Sequence, residues 1–159
     1  MTDLDLQNTI VKELQKMKIK IPGEEGWKKI PIYTQHKPFR QDIELDEEYS
    51  EETTDDYIMV VLGDEKTDGD GRWIVDVQFL FQIMSFDIKR DGEKILSNLM
   101  NQIDLHFTQK GIIAGKYEME PEKVKARNPL CDANYAQSAF VTKWKLPNMP
   151  VKMEVGNLT

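Results

Sequence analysis

Residues 73–107, WIVDVQFLFQIMSFDIKRDGEKILSNLMNQIDLHF, constrain the fold of this chain more than any other segment. Every second residue of 73–83 is apolar, while the alternate positions are mixed, so the pattern predicts a strand with one face on a core. Apolar side chains then recur at helical spacing over 95–107, between a capping residue, Asp91, and the terminating Gly111. The segment therefore predicts a long strand that leads directly into an amphipathic helix.

Shorter patterns define the remaining elements. An N-terminal helix is predicted from four apolar residues that recur at helical spacing: Leu6, Ile10, Leu14 and Met17. The sequence IPGEEG ends that helix, because proline and glycine do not continue it at low cost. Four further segments are predicted as strands: 28–35 at a sheet edge because of Pro31, 57–62 buried on both faces, 112–119, and 139–146.

The order of helices and strands predicts the fold class. It indicates one α+β domain over residues 1–147, with an antiparallel or mixed β-sheet covered mainly on one face by two α-helices. A length of 159 residues fits a single domain with one core. Residues 148–159 are predicted to form an extended tail.

Charge and composition exclude several classes of protein. The net charge of −7 disfavours a broad nucleic-acid-binding surface. The single cysteine permits no internal disulfide, and no apolar run is long enough to span a bilayer. The N-terminus lacks the pattern of a secretory signal. The sequence therefore predicts a soluble protein made in a cytoplasm, without membrane contact.

The residues that could carry chemistry are few. His36 has no cysteine or carboxylate at a ligand spacing, and His106 lies at the border of a helical apolar face, which favours a structural histidine. Cys131 lacks the signature of a nucleophilic cysteine and is interpreted as a small, partly buried side chain. No phosphate loop, dinucleotide fingerprint or nucleophile elbow is present. We therefore predict no catalytic residue, no metal site and no cofactor.

Two acidic segments are the candidate functional regions. Residues 41–56 hold nine carboxylates and no basic side chain, which predicts an exposed mobile loop that is either simply solvated or faces cations or a basic partner. Residues 63–71, GDEKTDGDG, lack the glutamate that a calcium loop needs at its twelfth position, so a hairpin connection is favoured. The candidate interface or lumen-facing residues on these loops are Asp42, Glu44, Asp46, Glu47, Glu48, Asp64, Glu65, Asp68 and Asp70.

The order of elements resembles that of the tail-terminator, or tail-completion, proteins of long-tailed bacteriophages and prophages. The resemblance covers most of residues 4–147 and is carried by the amphipathic N-terminal helix and five segments: IPIYTQHKPF, YIMVVLGD, RWIVDVQFLFQIMSFD, GEKILSNLMNQIDLHF and FVTKWKLP. It rests on element order and apolar pattern rather than on an invariant signature. The acidic segment at 41–56 and the tail after Pro147 fall outside it.

The resemblance implies a structural, non-enzymatic virion protein of the tail or neck, assembled in a bacterial cytoplasm. Such a subunit forms a homo-oligomeric ring, usually a hexamer, which caps the tail tube protein and offers a docking surface to the head–tail connector or stopper protein. DNA passes through the ring without specific binding. Two alternatives stay open: another neck component, such as a head-closure or head–tail joining protein, and a small-molecule-binding or enzymatic α+β domain.

Overall fold

The computed structural model describes residues 3–23, 26–35, 56–84, 92–128 and 135–147. Within these ranges there are two helices, α1 (Asp3–Met17) and α2 (Gly92–Lys110). The strands are β1 (Lys20–Gly23), β2 (Gly26–Lys29), β3 (Ile32–Thr34), β4 (Tyr57–Thr67), β5 (Trp73–Met84), β6 (Ile112–Ile113), β7 (Tyr117–Met119), β8 (Val124–Arg127) and β9 (Tyr135–Lys145). The predictions for residues 41–55, for the helix cap at Asp91 and for the tail at 148–159 fall outside the described residues.

Seven strands form one mixed sheet, so the predicted α+β class is confirmed. The strand order begins β3-β4-β5-β9. On its other edge, β9 pairs with both β8 and β7, and β7 pairs in turn with β6. The pairing of β3 with β4 is parallel, whereas the other pairings of this sheet are antiparallel. Strand β3 lies at an edge, as the proline next to it predicted. Strands β1 and β2 form a separate antiparallel hairpin.

The hairpin of β4 and β5 is longer than the sequence predicted. Strand β4 continues to Thr67, so residues 63–67 of the predicted connection belong to the strand and only the residues that follow form the turn. A shift in register between Leu62 and Glu65 marks a β-bulge. At the bulge the two strands approach closely: a Cβ built on Gly63 would lie 3.1 Å from the Cβ of Asp76.

The core lies on one face of β5 and includes both helices. The alternating residues Val75 to Ile83 of β5 are at most 2% exposed, which confirms the predicted face for these five residues. Trp73, predicted to lie on the same buried face, is 52% exposed because the strand begins there beyond the core. Helix α2 contributes the predicted apolar set, Ile95, Leu96, Leu99, Met100, Ile103 and Phe107. Helix α1 contributes Leu6, Ile10 and Leu14, whereas Met17 packs at the margin of the core. The hydrophobic repeat thus locates the core correctly.

Several predictions about strands were wrong or incomplete. The run at 57–62 is not buried on both faces, because Val61 and Leu62 remain half-exposed. A continuous apolar run does not distinguish a fully buried strand from one whose second face is partly open. The predicted strand at 28–35 is divided by residues 30–31 between β2 and β3, and the predicted strand at 112–119 is divided by residues 114–116 into the antiparallel strands β6 and β7. Neither the β1–β2 hairpin nor β8 was predicted. These short strands carry no two-residue alternation that would reveal them.

Candidate interaction surfaces

The first surface is the acidic tip, which we define as Asp64, Glu65, Asp70 and Trp73 at the turn between β4 and β5. Asp64 and Glu65 are exposed on the last part of β4, and Asp70 is exposed in the turn. Trp73 begins β5 and is 52% exposed. The register pairs Thr67 with Trp73 and Glu65 with Val75, so the Trp73 and Glu65 side chains share one face of the hairpin.

Asp68 shapes this tip rather than belonging to its free surface. Its Oδ1 accepts hydrogen bonds of 2.9 Å from the backbone N–H groups of Asp70 and Arg72. The hydrogen bond from Arg72, with further contributions from that of Asp70 and from nearby cations, lowers the pKa of the Asp68 carboxyl. Arg72 in turn donates to the Leu146 carbonyl from Nε at 3.3 Å and from the guanidinium end at 3.0 Å, which fixes the tip to the end of β9.

Negative charge accumulates beside the tip. The pKa of Glu65 is raised, first because nearby protein atoms partly desolvate its charged form and then because the carboxylate of Asp3 repels it. Asp3 is the first residue of α1, so the helix begins at the same end of the molecule as the tip. A cation that approached this surface would relieve repulsion between carboxylates.

The second surface is the basic hairpin face, which we define as Lys20, Pro22, Trp27 and Lys29. The register of β1 and β2 pairs Lys20 with Lys29 and Pro22 with Trp27, so these four side chains point to the same side. All four are exposed, and Trp27 is 72% exposed. Like charges placed directly opposite on neighbouring strands repel each other, so the two lysines destabilise the isolated hairpin.

The other side of this hairpin attaches it to the domain. Ile21 is 1% exposed, and the Lys28 ammonium lies 3.0 Å from the carboxylate of Asp56. Asp56 also accepts a hydrogen bond of 2.8 Å from the backbone N–H of Met84. The prediction of an exposed acidic loop over 41–56 is therefore wrong for Asp56, which is only 1% exposed. Its carboxylate joins three strands instead of facing solvent.

The two surfaces lie at opposite ends of the long strand β4. The basic hairpin contacts Asp56, immediately before β4, whereas the acidic tip consists of the last part of β4, the turn that follows it and the start of β5. Eleven residues of strand at about 3.3 Å each place the two ends roughly 35 Å apart. One end therefore presents an exposed indole with lysines, and the other presents an exposed indole with carboxylates.

His106 belongs to a structural ion cluster between the helices. Its Nε2 and the Lys110 ammonium each lie 2.9 Å from the Glu13 carboxylate, and Lys16 is 3.6 Å away. The Glu13 side chain is only 8% exposed. The hydrogen bond with His106, followed by that from Lys110, lowers the pKa of Glu13 to about 2. The cluster joins α1 to α2.

A shallow groove of about 250 Å³ lies over β5, β8 and β9. Its described lining contains no histidine, cysteine or carboxylate: Tyr57, Leu80, Phe81, Ala126, Arg127, Asn128, Gln137, Ser138 and Ala139. No acid–base pair therefore converges on it. Within the parts of the chain that the structure describes, no group of three or more His, Cys, Asp or Glu side chains is placed to hold a metal ion. Neither α1 nor α2 is long and apolar enough to cross a membrane.

The structure brings together part of the predicted acidic set. Asp64, Glu65 and Asp70 lie on one hairpin end, but Asp64 and Glu65 lie on a strand rather than on a loop. Asp68 is used within the turn. Asp42, Glu44, Asp46, Glu47 and Glu48 lie outside the described residues, as do His36 and Cys131. Sequence reasoning missed the basic hairpin face, although the pattern KIPGEEGWKK carries its lysines and its tryptophan.

Comparison with known proteins gives no assignment. No protein-family model matches this sequence, and a search of curated proteins finds no significant match.

Proposed function

We propose that this protein is a structural virion subunit that forms a ring, of six copies, on the head-proximal end of a phage tail tube. The ring ends tube polymerisation and offers the surface to which the head connector docks. The observation that carries the proposal is the pair of oppositely charged, tryptophan-bearing surfaces at the two ends of β4. Contacts between two different surfaces of identical subunits generate a ring when the rotation closes.

The arrangement of the core supports this role. On β5, one set of alternating residues is buried with the helices, while the residues between them are mostly half-exposed. We propose that α1 and α2 cover mainly this one face of the sheet. The second face, with polar residues such as Gln78 among apolar ones, is then available for neighbouring virion components. A subunit of this kind needs two side surfaces and two end surfaces, but it needs no catalytic group.

The acidic character of the chain fits a DNA conduit. Carboxylates that line a bore repel the phosphates of a passing duplex, so the DNA slides without binding. We assign this role to the carboxylates between Asp42 and Glu48. Neutralising them to Asn and Gln is expected to slow or arrest DNA passage in an ejection assay. Unchanged ejection would remove this segment from the bore.

Deletion of the gene from the phage or prophage that carries it tests the main proposal. Electron microscopy of the progeny is expected to show tails that exceed their normal length and lack capsids. Tails of normal length without capsids would instead indicate a head-closure or head–tail joining protein. Tails of normal length joined to capsids would contradict a role in the neck altogether.

A further inference from the structure

We propose that copies of this chain associate head to tail, with the basic hairpin face of one copy docking on the acidic tip of the next. The inference rests on the ring in the proposed function and names the two surfaces that build it. It places Asp64, Glu65 and Asp70 in a subunit contact rather than in the bore.

The exposure of two tryptophans is the first argument. The chain has three tryptophans, and Trp27 and Trp73 are 72% and 52% exposed. Exposed tryptophans are uncommon on monomers and are enriched among the residues that dominate the binding energy of interfaces. Their positions at opposite ends of β4 mean that one indole cannot cover the other within a single copy. Both can be covered at once if copies join end to end.

Charge complementarity identifies the occupant as a second copy. Lys20 and Lys29 flank Trp27 on the same side of the hairpin, directly opposite each other. Glu65 shares a face with Trp73 at the other end, beside Asp3. A lysine ammonium placed over an indole gains cation–π attraction, and the adjacent carboxylate adds a charge pair. Docking therefore relieves lysine–lysine repulsion on one copy and carboxylate repulsion on the other.

The geometry around each surface is compatible with docking. The lysine already used within the fold, Lys28, points to the opposite side of the hairpin and pairs with Asp56. At the tip, Asp68 and Arg72 are committed to the turn and to Leu146, so the tip keeps its shape without the partner. Both docking surfaces consist of side chains that the described part of the fold does not bury. Association at such exposed charges weakens as salt increases.

Zero-length carbodiimide cross-linking of the full-length protein tests the contact. At low salt and high protein concentration, mass spectrometry is expected to find Lys20 or Lys29 joined to Asp64, Glu65 or Asp70. Asp64 follows Asp56 by eight residues, which is roughly 26 Å of strand at about 3.3 Å per residue, and this separation excludes such a bond within one copy. A mixture of isotopically light and heavy protein confirms that each product joins two molecules. Absence of these products at the highest concentration would overturn the proposal.

Matched variants test its specificity. Trp27→Ala and Lys20→Glu/Lys29→Glu are each expected to reduce the cross-linked product at least fivefold. Leu105→Ala removes another exposed apolar side chain, which is 58% exposed, and Lys12→Glu/Lys94→Glu makes the same change in charge on the helices. Both controls are expected to cross-link like the wild type. Equal losses in the controls, or no loss in the hairpin variants, would contradict the assignment.

A charge exchange separates this inference from the proposed function. Asp64→Lys/Glu65→Lys should abolish association, and its combination with Lys20→Glu/Lys29→Glu in one chain should restore it. If oligomers persist in each variant that alters only one of the two surfaces, the ring stands but this contact is wrong. If the contact is confirmed while deletion of the gene leaves tails normal, the contact stands and the role in the virion fails.

Discussion

Trp144 and Trp27 occupy regions of the molecule that use the same side chain in opposite ways. Trp144 is fully buried: it packs edge-on against Phe107 at 5.5 Å, and its indole N–H donates to Thr142 at 3.0 Å. Trp27 lies on a two-stranded hairpin with 72% of its surface exposed. The difference shows that the core satisfies the polar group of its own tryptophan, while the hairpin presents an indole that the rest of the described fold does not cover.

The largest expected effect on stability follows from truncating the largest side chain of the core. Trp144→Ala removes the indole between α2 and the sheet, and the cavity together with the lost transfer free energy should destabilise the domain by about 3–5 kcal/mol. Urea unfolding, monitored by far-UV circular dichroism, measures the change. Trp144→Phe keeps an aromatic ring at this site and should lose less. A loss below about 1 kcal/mol for the alanine variant would show that the site is not part of the cooperative core.

The ion cluster gives the next effect. Glu13→Gln removes the carboxylate that joins α1 to His106 and Lys110, and we expect a loss on the order of 3 kcal/mol at pH 7 from the lowered pKa of this group. Glu118→Gln, an exposed carboxylate on β7, serves as the control and should change stability by less than about 0.5 kcal/mol. Equal effects of the two substitutions would contradict the structural role of the cluster.

The same carboxylate predicts how stability depends on pH. Because the folded protein lowers the pKa of Glu13 from 4.5 to about 2, its contribution is present above pH 4.5 and is lost as the pH falls toward 2. Thermal unfolding of the wild type should therefore show a steeper acid loss between these values than Glu13→Gln shows. Parallel curves for the two proteins would rule out Glu13 as a source of acid sensitivity.

A smaller effect is expected where the acidic tip is fixed to the sheet. Arg72→Ala removes the two hydrogen bonds to the Leu146 carbonyl and should cost about 1–2 kcal/mol. Lys66→Ala, on the same hairpin but exposed, should remain within about 0.5 kcal/mol of the wild type. Amide hydrogen exchange at Leu146, whose N–H bonds to the Trp73 carbonyl, provides a local measurement. Exchange at wild-type rates in Arg72→Ala would show that the side chain does not hold the tip.

The smallest effect on stability is expected at the hairpin. Trp27→Ala should change the free energy of unfolding by less than about 0.5 kcal/mol, because the side chain is exposed and does not belong to the core. Acrylamide should quench Trp27 fluorescence strongly and Trp144 fluorescence weakly, which can be measured in variants that retain one tryptophan. A large loss of stability in Trp27→Ala would place the indole in the fold rather than on a contact surface.

Much of the core could be predicted from the sequence, whereas the surfaces could be predicted only in part. The alternation in β5 and the helical repeat in α2 identified their buried faces, because burial imposes a fixed period on each element. The sequence predicted the acidic hairpin, but it did not predict which carboxylates face solvent. Asp68 instead accepts hydrogen bonds from backbone N–H groups of its own turn. The basic hairpin face was missed, because a four-residue strand is too short to establish a period.

The sequence by itself determined the periods: which residues face a core, where the long strand passes toward the second helix, and how acidic the chain is. Only the tertiary structure decided which charges are neutralised and which remain exposed. Asp56 and Glu13 are buried by partners distant in sequence, Lys28 and His106, whereas Glu65 and Lys20 remain on the surface. The physical reason is that periodicity reflects which residues share a face of one helix or strand. Whether a charged side chain is buried and paired depends on which other elements pack beside it.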